Sequence, residues 1–321
     1  MEAIFLLKEI ALLYLMYFSV IKQVNNEKLK QVQLDDRGLK SKEQVNVYVI
    51  LNSFQYHIII GISMKTLKII KIGGNIIDND NALQQFLKAF ATIDAPKILV
   101  HGGGKLATKL ARQMQVEVKM IDGRRVTDQV TLDIITMVYA GKINKTIVAQ
   151  LQANNCNAIG FSGADGNTII SDKRPSKPID YGFAGDVKKV NTETLEILLN
   201  NAITPVFCAI THDKNGELLN TNADTIASEL AIGFASIYKT ELYYCFEKNG
   251  VLEDVNNDNS VIENINTKTY QPLIENGIIY EGMLPKLNNC FHAVNHQVQK
   301  VCIGKSNMLF DKNNKHTTIS K

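Results

Sequence analysis

Two short apolar runs, each stopped by a cluster of glycines, constrain this chain more than any other feature. The first is Leu67-Lys68-Ile69-Ile70-Lys71-Ile72-Gly73-Gly74-Asn75; the second, 97–100, runs into His101-Gly102-Gly103-Gly104-Lys105. Aliphatic and β-branched residues in runs this short suit buried strands. Glycines at a strand end let a ligand approach backbone that no side chain shields. In the first run Lys71 puts an ammonium beside such amides, an arrangement that suits an anion, and phosphate above others. In the second, the N-terminus of a following helix adds a partial positive charge. Taken singly, each element also fits a strand ending in a tight turn, with Lys71 reaching to solvent. As a pair they say more, because adjacent parallel strands bring both turns to the one sheet edge where open α/β sheets bind ligands. The chain contains neither G-x-x-x-x-G-K-[ST] nor G-x-G-x-x-G. A nucleotide held here is held by neither a P-loop nor an ordinary dinucleotide motif.

From Lys65 onward, strand and helix patterns alternate. Strands are predicted over 67–72, 97–100, 158–161, 204–210, 236–246 and 298–303. Helices are predicted over 81–93, 105–115, 128–154 (broken near Gly141), 192–201, 224–233, 267–276 and 283–294, with a hairpin around Asp122-Gly123. Repeated β-α-β alternation predicts an open, mostly parallel α/β sheet sandwiched between helical layers. The 321 residues are enough for one large α/β domain or two smaller ones. A net charge of +3, interspersed along the chain, predicts no nucleic-acid surface. The five cysteines form no Cys-x-x-Cys pair, which points to a reduced, cytoplasmic protein.

Residues 1–63 read differently. The apolar run 10–21 is bounded by Lys8, Glu9 and Lys22, and its length falls short of the roughly 20 residues that span a bilayer. Glu2 stands where a secretory signal would be basic, and no small-residue cleavage site follows. Residues 22–44 are polar and charge-mixed, a solvated helix or a linker. The organised pattern begins only after Met64, which reads as the natural start, the preceding extension being either upstream sequence or a helical segment used for assembly. A membrane-tethered regulatory module anchored by 10–21 is the reading from a different class.

Three further segments carry chemistry-bearing side chains. In Arg124-Arg125-Val126-Thr127, ahead of a helix, an arginine could clamp a carboxylate in bidentate fashion. Asn220-Thr221-Asn222-Ala223-Asp224 opens a helix, where Asn and Asp also serve as caps. Gly282-Met283-Leu284-Pro285-Lys286 opens another, and its lysine by itself reads as solvated. His292 and His296 have metal-site spacing but no third ligand, and no Ser, His and acid grouping suggests acyl transfer.

In this order and at these separations, Lys71-Ile72-Gly73-Gly74, His101-Gly102-Gly103-Gly104, Gly123-Arg124-Arg125-Val126-Thr127, Asn220-Thr221-Asn222-Ala223-Asp224 and 281–286 resemble the amino acid kinase family, from about Met64 to Ser306. The resemblance implies a kinase domain over 64–308 with a polar tail over 309–321. Its N-terminal half would hold an acylated amino acid, and its C-terminal half, from about 237, ATP. It implies transfer of a phosphoryl group from MgATP to the γ-carboxylate of N-acetyl-L-glutamate, an early step of arginine biosynthesis. The alternatives are N-succinylglutamate, or a glutamate, aspartate or carbamate acceptor. Carried over by position, Lys71 and Lys286 are catalytic and Asp224 orients them. Gly73, Gly74 and Gly102 contact phosphate, while Gly103, Gly104, Arg125 and Asn220 contact the amino acid substrate. No protein metal ligand is implied, Mg²⁺ coming with ATP, and the implied assembly is a homodimer insensitive to arginine, with no membrane or nucleic-acid partner. The sequence departs from the family at Glu247-Lys248-Asn249-Gly250-Val251-Leu252, where Asp-Val-x-Gly is common.

Overall fold

The computed structural model describes residues 30–33, 43–51 and 56–321, apart from 122, 280–282 and 312. It divides into two units, Met1–Ser63 and Met64–Lys321. The predicted apolar run 10–21 lies outside the described residues. Within 22–44, read as a solvated helix or linker, Lys30–Gln33 is instead a strand, β1, because its backbone pairs antiparallel with β2 (Glu43–Leu51), Lys30 opposite Val49. β3 (Tyr56–Met64) completes a three-stranded sheet in the order β1-β2-β3.

The second unit is built on β4 (Thr66–Ile72), in which Leu67, Ile69, Ile70 and Ile72 are fully buried. It pairs in parallel with β5 (Lys97–His101) on one side and with β14 (Lys239–Cys245) on the other. A strand covered on both faces needs an unbroken apolar sequence rather than an alternating one, as β4 and β5 have. The sheet extends through β11 (Thr204–Phe207) to β8 (Ala158–Phe161) at one edge. At the other it runs through β16 (Lys300–Gly304) and β17 (Thr317–Ile319) to β15 (Asn264–Ile265), and only the β16–β17 pair is antiparallel. Thr317, inside the stretch read as a polar tail, is fully buried: its hydroxyl donates to Ile262 O at 2.7 Å and accepts from Val251 N at 2.8 Å.

Helices cover the sheet. α1 is the single turn Gly74–Ile77, and α2 (Asp80–Ala91) starts where Asn79 Oδ1 accepts from Ala82 N at 3.0 Å. Its Leu83, Phe86, Leu87 and Phe90 follow the helical period and are all buried, each worth about 1.5–3 kcal/mol of apolar burial. The predicted helix 128–154 is continuous but not uniform: α4 (Gln129–Thr136) and α5 (Asn144–Ala153) are joined by a π-helical turn over Met137–Ile143, which contains Gly141. α3 is Gly104–Gln113, α6 Thr192–Asn200, α7 Ala223–Phe234, α8 Thr267–Glu275 and α9 Leu284–Asn295.

Two features escaped the sequence reading. Lys97 is buried, and its ammonium donates to the carbonyls of Phe90, Ala91 and Ile93 at 3.0, 3.1 and 2.8 Å. It thereby sets a cation against the carbonyls at and just beyond the C-terminal end of α2. A small closed barrel is formed by β9 (Ile169–Lys173), β10 (Ala184–Val190), β12 (Ile210–His212) and β13 (Leu218–Thr221). β9 and β10 were missed because only β9's first half is apolar and β10 mixes Asp186, Lys188 and Lys189 with small residues and no regular alternation, so neither carries a strand signal of its own.

Candidate active site

The ends of β4 and β5 lie side by side, Ile72 opposite His101, so the two glycine turns that follow are neighbours. α7 packs across β4, β5 and β14 and begins at the same edge. Its start is capped by Asn222, whose Oδ1 accepts from Asp224 N at 2.7 Å. A Cβ placed on Gly102 would stand 3.9 Å from Ala223 Cβ, so the second glycine turn rests against the residue before Asp224.

Asp224 is where the cations meet. Lys286 Nζ donates to its Oδ2 at 2.6 Å, and Lys71 Nζ lies 2.7 Å from its Oδ1 as an ion pair. All three side chains are about 15% exposed or less. Lys71 comes from the end of β4 and Lys286 from the first turn of α9, 215 positions apart in the chain (286 − 71). Burial pushes the Asp224 carboxyl up, but the two ammoniums outweigh it and hold the group well below the usual carboxylate range. Burial depresses Lys71, and Lys286 adds to that effect; in Lys286 the pull of Asp224 overcomes burial and raises the pKa. Glu247 adds to that pull on Lys286. Tyr244, not singled out from the sequence, seats the group. It pairs with Lys71 across β14 and β4, its hydroxyl donates to Asp224 O at 2.8 Å, and its ring centroid lies 5.2 Å from Lys286 Nζ.

The predicted substrate residues also converge. β6 (Met120–Ile121) and β7 (Arg124–Arg125) form a hairpin that carries Arg125 into the protein, leaving it 8% exposed, whereas Arg124 stays exposed. Arg125 Nη2 donates to Gly104 O at 3.1 Å and to Thr108 Oγ1 at 2.9 Å. Thr127 then links the pair, its hydroxyl donating to Arg125 O at 3.1 Å and accepting from Asn220 Nδ2 at 2.9 Å. Thr127 is fully buried and was not assigned a role from its sequence position.

The glycines divide by what their backbone is already doing. Gly74 and Gly104 are the first residues of α1 and α3, and Gly103 caps α3; N–H groups at a helix start have no intrahelical acceptor. The N–H of Gly73 donates to Cys245 O at 2.9 Å, completing the β14 side of the turn. Its value is steric, since a Cβ there would press on Cys245 O at 3.2 Å.

Among the described residues, no three His, Cys, Asp or Glu side chains are grouped to hold a metal ion. His292 Nε2 instead lies 3.0 Å from Glu229 Oε1, and His296 Nδ1 2.8 Å from His292 O. No helix among the described residues is long and apolar enough to cross a membrane. A cavity of about 460 Å³ lined by Leu132, Thr136, Met137, Phe183 and Leu218, among others, lies away from the lysines. None of Lys71, Asp224 and Lys286 lines it.

The family model described as the amino acid kinase family matches residues 66–305. The chain belongs to this family. Among similar proteins, the acetylglutamate kinase of Cytophaga hutchinsonii is 54% identical over 257 residues, covering 80% of this chain and 97% of that relative. The acetylglutamate kinase of Methanopyrus kandleri is 36% identical over 232 residues, covering 71% of this chain and 90% of that relative. The crystal structure of a Streptococcus mutans protein superposes with a TM-score of 0.67 at 27% identity, covering 79% of this chain and 98% of that one. In this amino acid kinase fold, the open sheet predicted from strand–helix alternation is the framework, and β4, β5, β14 and α7 hold the lysine cluster.

Proposed function

We propose that this chain transfers the γ-phosphoryl group of MgATP to the γ-carboxylate of N-acetyl-L-glutamate, giving the acyl phosphate, an early step of arginine biosynthesis. The observation that carries the reading is one buried carboxylate, Asp224, holding two ammoniums at a sheet edge between two glycine turns. The acceptor carboxylate has an ordinary pKa of about 4.3 and is already ionised at neutral pH, so no general base is required. Asp224 is unsuited to that role, because both oxygens face ammoniums and its pKa is held low. The barrier is repulsion between an anionic nucleophile and an anionic phosphate. Positioned cations and backbone amides lower it by stabilising charge where it develops.

In this reading Lys71 and Lys286 flank the transferring group and Asp224 sets their spacing. Gly74 and Gly102 lie along the phosphates, with Gly73 shaping the turn, and Gly103 and Gly104 face the acceptor. Arg125 and Asn220, joined through Thr127, take the α-carboxylate and its surroundings. The N-terminal half of the 64–308 domain holds the amino acid, and the part from about 237 holds ATP. Mg²⁺ would enter with the nucleotide as part of the substrate and would offset phosphate charge. We further propose a cytoplasmic homodimer that arginine does not inhibit, its mass to be read by light scattering.

The deciding experiment is a hydroxamate assay for acyl phosphate with MgATP, comparing N-acetylglutamate, N-succinylglutamate and free glutamate. The expected order puts an N-acylated glutamate first, with acetyl above succinyl. Free glutamate as the best acceptor would overturn the proposal.

A further inference from the structure

The π-helical turn Met137–Ile143 and the glycine turn after β5 are built against each other. A Cβ on Gly103 would stand 2.3 Å from Ile143 Cδ1 and 2.9 Å from Tyr139 Cδ1, so two side chains of the π turn lie directly on bare backbone. Such turns are rare inside α-helices and frequent at functional sites. The helix regains its ordinary pitch at Asn144. This residue is 1% exposed and reaches the fully buried His101.

The contacts assign the protons. Asn144 Nδ2 lies 2.9 Å from Val206 O and 3.1 Å from His101 Nε2. A carbonyl oxygen only accepts, which fixes the amide nitrogen at this end of the side chain; its second proton then goes to His101 Nε2. The imidazole therefore carries its own proton on Nδ1, which donates to Gly102 O at 2.8 Å. The ring ties a helix on one side to the first peptide of the glycine turn on the other. Neither side chain hydrogen-bonds to Lys71, Asp224 or Lys286.

We propose that His101 and Asn144 are positioning residues: they hold the Gly102 carbonyl back against β5, so that the Gly103 and Gly104 amides stay aimed at the reacting groups. This rests on the functional reading above and deepens it. Burial pushes the imidazole down to about 4, so the ring stays neutral and its tautomer fixed through the physiological range. The titratable groups packed around the pair are Lys145, whose ammonium lies 3.3 Å from Asn144 Oδ1, the Tyr139 phenol, raised by burial, and the Cys208 thiol, pushed up to about 12 by burial. Both raised groups, the phenol and the thiol, stay neutral in that range.

Two measurements test the proposal. In the first, long-range ¹H–¹⁵N correlation of the histidine-labelled full chain reads the tautomer, with His101 assigned by the signal lost in His101→Gln. The expected result is a neutral Nδ1–H ring, unchanged from pH 6 to 9. A ring protonated on Nε2, or titrating near the ordinary value of about 6.5, overturns the proposal. This arm needs no active variant, and it decides the network even if no acyl amino acid is phosphorylated, the result that would sink the functional reading instead. In the second, Asn144→Asp removes the donor to Nε2, so the ring keeps both contacts only by taking a second proton. The expected kcat then falls about tenfold or more as pH rises through the new His101 pKa, with KM for ATP within about twofold and wild type flat over that range. A variant whose kcat follows wild type at every pH, or loses kcat and ATP affinity in fixed proportion at every pH, refutes it.

Discussion

Replacing Asp224 by Asn removes one charge while keeping the side chain's shape, and the geometry sets the size of the effect. Lys286 and Lys71 stand 2.6 and 2.7 Å from its two oxygens. Unit charges 4 Å apart interact by about 4 kcal/mol at an effective dielectric of about 20. Removing one partner from a buried pair typically costs about 3–5 kcal/mol, because the other charge is left uncompensated. The lower end applies here, since 14% and 15% of the two lysine side chains remain exposed. About 3 kcal/mol of stability is therefore expected to be lost, read by urea unfolding near pH 7. The sign of the pH dependence follows. In wild type the depressed Asp224 pKa contributes stability that is present above the unfolded value of about 3.9 and lost as pH falls below it; the variant lacks that acid limb. In the variant Lys71, already lowered by burial, falls further. The folded state then binds fewer protons than the unfolded one at alkaline pH, so stability rises with pH up to about 10. Turnover moves the other way, because a neutral Lys71 no longer offsets phosphate charge. An Asp224→Asn protein as stable as wild type at pH 7, with kcat within tenfold, would refute the reasoning.

Lys71→Met and Lys286→Met should each lower kcat in the hydroxamate assay by about 10²–10³-fold, the usual loss for one preorganised contact to developing charge. Arg125→Ala should raise KM for the acylated amino acid far more than KM for ATP; equal shifts would count against its placement on the substrate carboxylate. Lys97→Met removes three charge-assisted contacts to the end of α2, and urea unfolding should show a loss of about 2–3 kcal/mol with KM for both substrates unchanged.

Much of the framework was legible in the order of residues. β4 and β5 announce themselves because strands covered on both faces must be apolar throughout. The motif series from Lys71 to Lys286 was sufficient to name a family, since each short segment is unremarkable while the ordered set is not. Local patterns were silent on β9 and β10, which gain their place by closing a barrel with β12 and β13. They were equally silent on Thr317, a polar residue whose strand exists because β16 offers it a ladder.

For the site, the residue types and their spacing determined which chemistry was on offer: cations, bare amides and a carboxylate, with no grouping for acyl transfer. Only the tertiary structure decided how they are used. Whether Lys286 is solvated or paired depends on a helix start lying against Asp224, contributed by chain 62 residues away (286 − 224). Whether a glycine's amide is available depends on whether another strand has claimed it, as Cys245 claims Gly73. Sequence specifies local chemistry because propensity and period act over a few residues. Burial and long-range charge pairing, which set the protonation of Lys71, Asp224 and His101, exist only once distant segments meet.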